Sequence, residues 1–168
     1  MSRYTNDLLI ESAIRILCEY APSDWDRPKR LLMHDLRVGF YLYEHDYSVD
    51  VVVAGFLHDV LEWTDCDESL VRSKFGDQVF EIVSANTKDR SISDPHDRRV
   101  EYVQRCLRVG EDALIVKAVD TLDSYKFYVD LGDESEIERS RDIARIVLDV
   151  CTQDMKDPIF KKLNEIVN

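Results

Sequence analysis

Residues 51–59 read Val-Val-Val-Ala-Gly-Phe-Leu-His-Asp, an apolar run that is closed by a histidine and an aspartate. Ser48 can cap a helix just before this run, so we expect the third helix of the chain to start there and to extend to Glu62. Apolar residues occupy nearly every side of that helix, which predicts a central position in the fold. His58 and Asp59, at its polar end, then need partners if they are buried.

The rest of the chain has the periodicity of helices. Apolar residues recur at spacings of three and four, and only five glycines and four prolines interrupt them over 168 residues. We therefore predict an all-α fold, a single compact helical bundle in which residues 1–168 form one domain. The predicted helices are a first one capped by Thr5 or Asn6 and ending near Tyr20, then 31–45, 49–62, 67–75, 77–87, 96–109, 111–130 and 134–154, and a short last one after Pro158. The polar segment 88–95 is predicted to be the main surface loop.

Composition and charge exclude several classes of protein. The net charge of −12 argues against a broad basic face for nucleic acid, and no apolar stretch approaches the length of about 20 residues that a membrane span needs. The four cysteines are scattered singly, without the paired spacing of zinc sites, and no secretory signal is visible. We expect a cytoplasmic protein with no membrane or nucleic-acid partner. The sequence leaves the oligomeric state open.

Two further residues make the His58-Asp59 doublet a candidate metal site. His34 lies upstream on a predicted helix, and Asp120 closes the apolar run 113–119. Two imidazoles and two carboxylates suit Mn²⁺, Fe²⁺, Zn²⁺ or Co²⁺ better than an ion that prefers oxygen alone. Each residue taken singly also fits a structural role, since a hydrogen bond would satisfy a buried histidine or aspartate equally well.

These segments resemble the HD-domain metal-dependent phosphohydrolases, a family named for its His-Asp doublet. That family has a histidine, a His-Asp doublet and a distant aspartate, all on helices, and the matching segments here are 34–38, 54–59 and 116–120. The resemblance implies a divalent metal held by His34, His58, Asp59 and Asp120. Mn²⁺ is the expected ion, with Fe²⁺, Zn²⁺, Co²⁺ or Mg²⁺ as alternatives.

Within that family, the chain most resembles the hydrolase domain of RelA/SpoT-like proteins. These proteins remove the 3′-pyrophosphate of guanosine tetra- and pentaphosphate and include small stand-alone forms. In those proteins the doublet continues as His-Asp-x-x-Glu-Asp-Thr, which aligns with residues 58–64 of this chain. A Phe-Gly pair and a Thr-Lys pair follow in those proteins, and they align with residues 75–76 and 87–88 here. The similarity covers about residues 25–130, and the C-terminal helices, about 134–166, lie beyond it.

The chain departs from that pattern at three places. Trp63 replaces the second acid of the Glu-Asp pair, Asp123-Ser124 replaces a His-Asn pair, and residues 30–33 replace the Gly-x-Pro-Tyr run before the first histidine. The four metal ligands are all present. Hydrolysis is therefore expected. The nucleotide or the leaving group can differ from that of the RelA/SpoT-like proteins, and the sequence leaves the substrate open.

The resemblance and the spacing together assign roles to the remaining residues. Glu62 follows His58 by one helical turn, and we expect it to act as general base or to orient the attacking water. A phosphorylated substrate needs cations to bind to a chain that is so acidic. Tyr102 either stacks on a base or fills the core at helical spacing. The expected substrate-binding residues are Arg27, Lys29, Arg30, Lys88, Arg99 and Tyr102.

Three functions remain open. The first is a metal-dependent phosphohydrolase of a nucleotide, with guanosine 3′,5′-bis(diphosphate) 3′-pyrophosphohydrolase as the leading reaction. The second is another HD-type nucleotidase or phosphodiesterase, because the ligand set defines the metal and not the nucleotide. The third is a non-catalytic regulatory protein that binds metal and nucleotide, which the loss of an acid at Trp63 keeps open.

Overall fold

The computed structural model describes residues 3–168, and all regular structure in that range is helical. The predicted all-α fold is therefore confirmed, with no β-strand among the described residues. The helices in chain order are α1 Arg3–Tyr20, α2 Leu31–Glu44, α3 Val49–Leu57, α4 Val60–Trp63, α5 Glu68–Phe75, α6 Asp77–Asn86, α7 Pro95–Val109, α8 Glu111–Leu131, α9 Glu134–Val150 and α10 Pro158–Val167. Every one of them contributes side chains to one continuous apolar core.

Several helix ends follow from local chemistry. The Ser48 hydroxyl accepts a hydrogen bond from the backbone N–H of Val51, and the Asp67 carboxylate accepts one from that of Ser69. Gly76 ends α5 with φ 88°, a left-handed value that a residue with a Cβ adopts only with strain. These ends agree with the predictions from capping residues.

The predicted continuous helix from Ser48 to Glu62 is wrong at the doublet. α3 ends at Leu57, His58 and Asp59 form a turn, and α4 starts at Val60. Asp59 has φ −100° and ψ −8°, while its carbonyl accepts hydrogen bonds from the N–H groups of Glu62 and Trp63. The regular helix is therefore interrupted at the two polar residues.

Two other boundaries also differ from prediction. α1 already includes residue 3, so Thr5 and Asn6 lie inside the helix and do not cap it. α9 stops at Val150 rather than at 154, because Cys151 takes an extended conformation with ψ 130°. Neither difference moves a candidate site residue.

α3 occupies the centre of the bundle, as its apolar composition predicts. All residues from 51 to 57 are buried, and the helix contacts α1, α2, α6 and α8. His34 lies on α2 and Asp120 lies on α8. The helix that precedes the doublet, α3, therefore packs directly on both helices that carry the other candidate ligands. No helix within residues 3–168 is both long and apolar enough to cross a membrane.

Glycines allow α2 and α3 to approach each other closely. A Cβ built on Gly39 of α2 would overlap the ring of Phe56 of α3, and one built on Gly55 would overlap the side chain of Leu42. His34 and His58 lie on these same two helices. The close helix contact therefore helps to set the distance between the two histidines.

We predict that Gly39→Ala destabilises the protein by about 1–3 kcal/mol, the usual cost of forcing an extra carbon into a packed core. The rigid ring of Phe56 must move to admit the methyl group. Urea denaturation followed by circular dichroism measures the effect, with Glu81→Ala on an exposed position of α6 as the control. Equal midpoints for Gly39→Ala and the wild type would contradict the close-packing argument.

Candidate metal centre

Four predicted ligands meet between three parts of the fold. His34 comes from the first turn of α2, His58 and Asp59 from the turn between α3 and α4, and Asp120 from the middle of α8. All four are mostly or fully inaccessible to solvent: the side chains of both histidines are 0% exposed, that of Asp59 is 11% and that of Asp120 is 16%. A ligand set from separate helices can form only after the bundle has packed.

The donor atoms converge on one point. The Nε2 atoms of His34 and His58 are 3.2 Å apart, and Asp120 Oδ1 lies 2.9 Å from the first and 3.8 Å from the second. Asp59 Oδ2 is 3.9 Å from His34 Nε2 and 3.8 Å from His58 Nε2. Donors that bind one divalent ion at about 2.0–2.2 Å are separated by similar distances, so the arrangement suits a metal.

Hydrogen bonds on the far side of each ring fix which nitrogen faces this point. His34 Nδ1 lies 2.7 Å from Asp123 Oδ2, and His58 Nδ1 lies 2.8 Å from the carbonyl oxygen of Gly55. Both acceptors require an N–H on Nδ1, which leaves a lone pair on each Nε2 in the neutral ring. Two lone pairs that face each other repel unless a proton or a cation lies between them. The donor chemistry therefore fits a bound divalent cation.

The charges around the doublet favour a cation as well. Burial alone would lower the pKa of His58, but the Asp59 and Asp35 carboxylates raise it to about 9. Burial opposes ionisation of Asp59 too, yet the positive charge of His58 lowers the pKa of that carboxyl to about 2. In the same way, Lys117 and the histidines hold the pKa of Asp120 well below its usual range despite burial.

Lys117 is a member of the site that was absent from the predicted site residues. Its side chain is 2% exposed, and its Nζ donates to Asp120 Oδ2 at 2.9 Å, on the carboxylate oxygen that His34 does not contact. The nearby Asp120 charge raises the pKa of Lys117, so the amine stays protonated despite its burial. The signal in the sequence was a lone charged residue within the apolar run 113–119.

Asp123 was noted in the sequence only as a departure from the related proteins, and it has a structural role here. Its Oδ2 holds His34 Nδ1, while Arg37 Nε donates to Oδ1 at 2.7 Å. Burial opposes its ionisation, but these two partners lower the pKa of Asp123 to about 2. A carboxylate that holds the free nitrogen of a ligating histidine orients the ring and increases its basicity.

Asp35, next to His34, is the least expected member of the cluster. It is fully buried, and its burial raises the pKa of the carboxyl well above the usual range. One donor atom from each of His34, Asp35, His58 and Asp59 lies within 4.8 Å of the others. The sequence had shown it only as an acid beside a histidine.

A cavity opens beside the ligands, and four of the six predicted substrate-binding residues line it. Those four are Arg27, Lys29, Lys88 and Tyr102. The other two are outside its lining: Arg30 donates to the carbonyl oxygen of Trp25, and Arg99 Nε pairs with Asp142 Oδ2 at 2.6 Å. The basic groups near the motifs thus divide between the cavity and the outer surface.

Glu62 faces a lysine in this structure. Its side chain is 2% exposed, and Lys88 Nζ lies 3.1 Å from Oε1 and 2.9 Å from Oε2. The backbone N–H of Lys88 also donates to Oε2 at 3.3 Å. The Glu62 side chain is therefore buried and paired, and its partner Lys88 lines the cavity.

The residue that replaces the second acid forms an aromatic and cationic wall. The ring centroids of Trp63 and Trp25 are 5.5 Å apart in an edge-on arrangement, and both rings line the cavity. The guanidinium carbons of Arg27 and Arg90 lie 4.1 Å and 4.2 Å from the Trp63 centroid. Trp63 thus presents a flat apolar surface where the related motif has a carboxylate.

The opposite wall comes from α9, which lies outside the motif region of the sequence. Glu136, Arg139, Ser140 and Ile143 line the cavity from that helix. Arg139 Nη1 pairs with Glu136 Oε2 at 3.1 Å, so this cation is already neutralised. Sequence reasoning missed these residues because an amphipathic helix does not reveal which part of the bundle it covers.

Comparison with known proteins agrees with the fold. The family model of the HD domain matches residues 13–153, most of the chain. The chain belongs to the HD-domain family. Its resemblance to the RelA/SpoT-like hydrolase domains is also confirmed.

Individual relatives differ in how much of them the chain covers. It is 30% identical over 97 residues to guanosine-3′,5′-bis(diphosphate) 3′-pyrophosphohydrolase of Aquifex aeolicus (strain VF5), a match covering 56% of this chain and 14% of that protein. The chain thus spans a small part of the length of that relative. The fold is similar to the solved structure of a metazoan ortholog of SpoT that hydrolyzes ppGpp, with TM-score 0.77, 21% identity and coverage of 94% of this chain and 93% of that one. A Listeria monocytogenes EGD-e structure has TM-score 0.67 at 21% identity over 80% of this chain and 90% of that chain.

We predict that the metal-free protein loses stability as the pH rises from about 6.5 to about 9. The folded state holds the His58 proton more tightly than the unfolded chain, so this contribution is complete below pH 6.5 and is lost through the folded pKa of about 9. Added Mn²⁺ should stabilise the protein more as the pH rises, because the metal replaces the proton. Thermal unfolding across this range, after treatment with a chelator, measures both effects.

The variant His58→Gln isolates the contribution of this one group. It should flatten the pH dependence of the metal-free protein, whereas His96→Gln, at a side chain that is 58% exposed, should leave it unchanged. A wild type and a His58→Gln variant with parallel pH profiles would show that His58 has no raised pKa.

Proposed function

We propose that the protein is a metal-dependent phosphohydrolase of a nucleotide, with removal of the 3′-pyrophosphate of guanosine 3′,5′-bis(diphosphate) as its leading reaction. The observation that carries the proposal is the convergence of two imidazole Nε2 atoms and two carboxylates beside a cavity lined by cations. The Aquifex relative and the metazoan ortholog support this substrate, since both are named for reactions of such nucleotides. Mn²⁺ is our proposed ion, and the cytoplasm our proposed location.

His34, His58, Asp59 and Asp120 would hold the ion. A divalent cation there would supply an activated water and polarise a phosphate oxygen. Lys117 then fixes one oxygen of Asp120, and Asp123 fixes the ring of His34. These two contacts hold the ligands in place before substrate arrives, which lowers the reorganisation that the reaction needs.

Arg27 and Lys29 are the proposed binding groups for the remaining phosphates. Within residues 3–168 neither pairs with a carboxylate: Lys29 Nζ donates to Ser124 Oγ at 2.9 Å, and the Arg27 guanidinium lies over Trp63. Ser124 Oγ in turn lies 3.3 Å from Asp120 Oδ1, so Lys29 is two hydrogen bonds away from a metal ligand. Free cations at that distance suit a diphosphate whose reacting phosphorus lies at the metal.

Glu62 remains our proposed general base or water-orienting group, with Lys88 as its partner. Lys88 Nζ now contacts both carboxylate oxygens of Glu62, and its ammonium also faces the cavity. A substrate phosphate competes with Glu62 for this ammonium. When Lys88 donates to the phosphate, Oε1 of Glu62 keeps only the longer contact with Arg90 Nη2, at 3.4 Å. If Arg90 also turns to the substrate, this oxygen can accept a proton from the attacking water.

We expect the purified protein with Mn²⁺ to release pyrophosphate from guanosine tetraphosphate, and His58→Ala to lose both metal and turnover. Metal analysis followed by a screen of phosphate release over nucleotides measures this. Orthophosphate from a nucleoside monophosphate would instead favour another HD-type nucleotidase. Tight nucleotide binding without turnover by the metal-loaded protein would favour a regulatory role, and the absence of metal affinity would contradict every metal-based version.

A second prediction concerns Glu62 alone. Glu62→Gln should keep the metal and lower kcat by about 10²–10⁴-fold, the usual contribution of a general base, because the amide cannot accept the proton. The matched control Glu81→Gln, on an exposed position of α6, should turn over as the wild type does. Wild-type kcat in Glu62→Gln would refute the catalytic role and leave Glu62 as a structural partner of Lys88.

A further inference from the structure

One buried acid near the metal centre has no hydrogen bond. Asp35 follows His34 on α2, and its residue is 0% exposed. No donor in the described part of the chain, residues 3–168, gives a hydrogen bond to either carboxylate oxygen. Burial of a polar group without a partner costs folding free energy, so a retained acid at such a position calls for a function in another state of the protein.

The position of Asp35 relative to His58 indicates that state. Asp35 Oδ1 lies 3.9 Å from His58 Nδ1, the ring nitrogen that faces away from the proposed ion. The Gly55 carbonyl, 2.8 Å from the same nitrogen, accepts its hydrogen bond. Asp35 therefore lies near the Nδ1 side of the imidazole, whereas the proposed ion lies on the Nε2 side.

The other ligating histidine has the same arrangement at a shorter distance. Behind His34, the Asp123 carboxylate holds Nδ1 at 2.7 Å. Each histidine of the centre thus has a carboxyl group on the side opposite to its Nε2. A metal on one nitrogen polarises the other N–H, and a carboxylate behind the ring stabilises that polarisation and fixes the ring orientation.

We propose that Asp35 is a positioning residue of the metal centre, which acts through His58 to increase metal affinity. The Gly55 carbonyl holds the orientation of the His58 ring, and the Asp35 carboxylate, 3.9 Å from Nδ1, offsets the charge that the ring acquires when the ion binds. This inference rests on the proposed metal centre. The unbonded buried acid lowers the stability of the metal-free protein, and it increases the affinity of the metal-bound protein for the ion.

The test measures affinity for Mn²⁺ and stability of the metal-free protein in the same variants. Asp35→Asn, which keeps the size but cannot ionise when the ion binds, should bind Mn²⁺ about 10-fold more weakly in isothermal titration calorimetry. Asp35→Leu should approach a 100-fold loss, the upper end for such outer partners. In both variants the Tm of the metal-free protein should equal or exceed that of the wild type.

This combination distinguishes positioning from a purely structural role, which would lower the Tm and leave the affinity unchanged. Asn86→Leu is the matched control, because Asn86 is also fully buried with an unbonded side-chain oxygen but contacts Ile82 and Ala113 instead of the ligands. It should bind Mn²⁺ as the wild type does. If Asp35→Leu fails to fold, Asp35→Asn alone decides.

Affinity within threefold of the wild type in Asp35→Asn would overturn the role of Asp35 and leave the metal centre intact. A wild type that binds no Mn²⁺ would instead contradict the metal centre, and with it the basis for this inference. The two failures are therefore distinguishable in one titration series.

Discussion

The structure depends on two buried imidazoles whose Nε2 atoms face each other 3.2 Å apart. Hydrogen bonds on the far side of each ring direct both lone pairs to the same point, so the pair is favourable only with positive charge between them. Two carboxylates, from Asp59 and Asp120, add negative charge at that point. A proton can supply part of the balance, and a divalent cation can supply it fully.

Helix packing makes this arrangement possible. The glycines of α2 and α3 let the helices of His34 and His58 approach closely, and His58 and Asp59 lie in the short turn between α3 and α4. α8 then supplies Asp120 together with Lys117, which neutralises the oxygen that faces away from the histidines. The apolar core thus fixes the ligands, and the cavity beside them is where the cations of the loops before α2 and after α6 meet.

The sequence predicted the helical class and most helix ends, because these depend on local periodicity and capping residues. Its spaced motif also named four residues that the fold brings together. It could not predict the break at His58, since the residues on both sides favour a helix and only tertiary contacts end it. Asp35, Asp123 and the wall from α9 were missed for a related reason. Their roles depend on the side chains that they contact after the helices have packed, and the residues next to them in the sequence do not indicate those contacts.

Trp63 limits how far the motif defines the reaction. The acid it replaces would add charge next to Glu62, whereas the indole ring provides an apolar surface contacted by the guanidinium groups of Arg27 and Arg90. The four candidate ligands are all present despite this change, whereas Trp63 and Arg27 both line the cavity beside them. The change therefore alters the wall of the cavity and leaves the ligand set intact.

The central claim is that one divalent ion binds between the two histidines. Crystals grown with Mn²⁺, measured at a wavelength where manganese scatters anomalously, test it directly. The account predicts a single strong anomalous peak about 2.0–2.3 Å from the Nε2 atoms of His34 and His58, with Asp59 and Asp120 as further ligands. A peak elsewhere, or none at this position in manganese-saturated crystals, would contradict it.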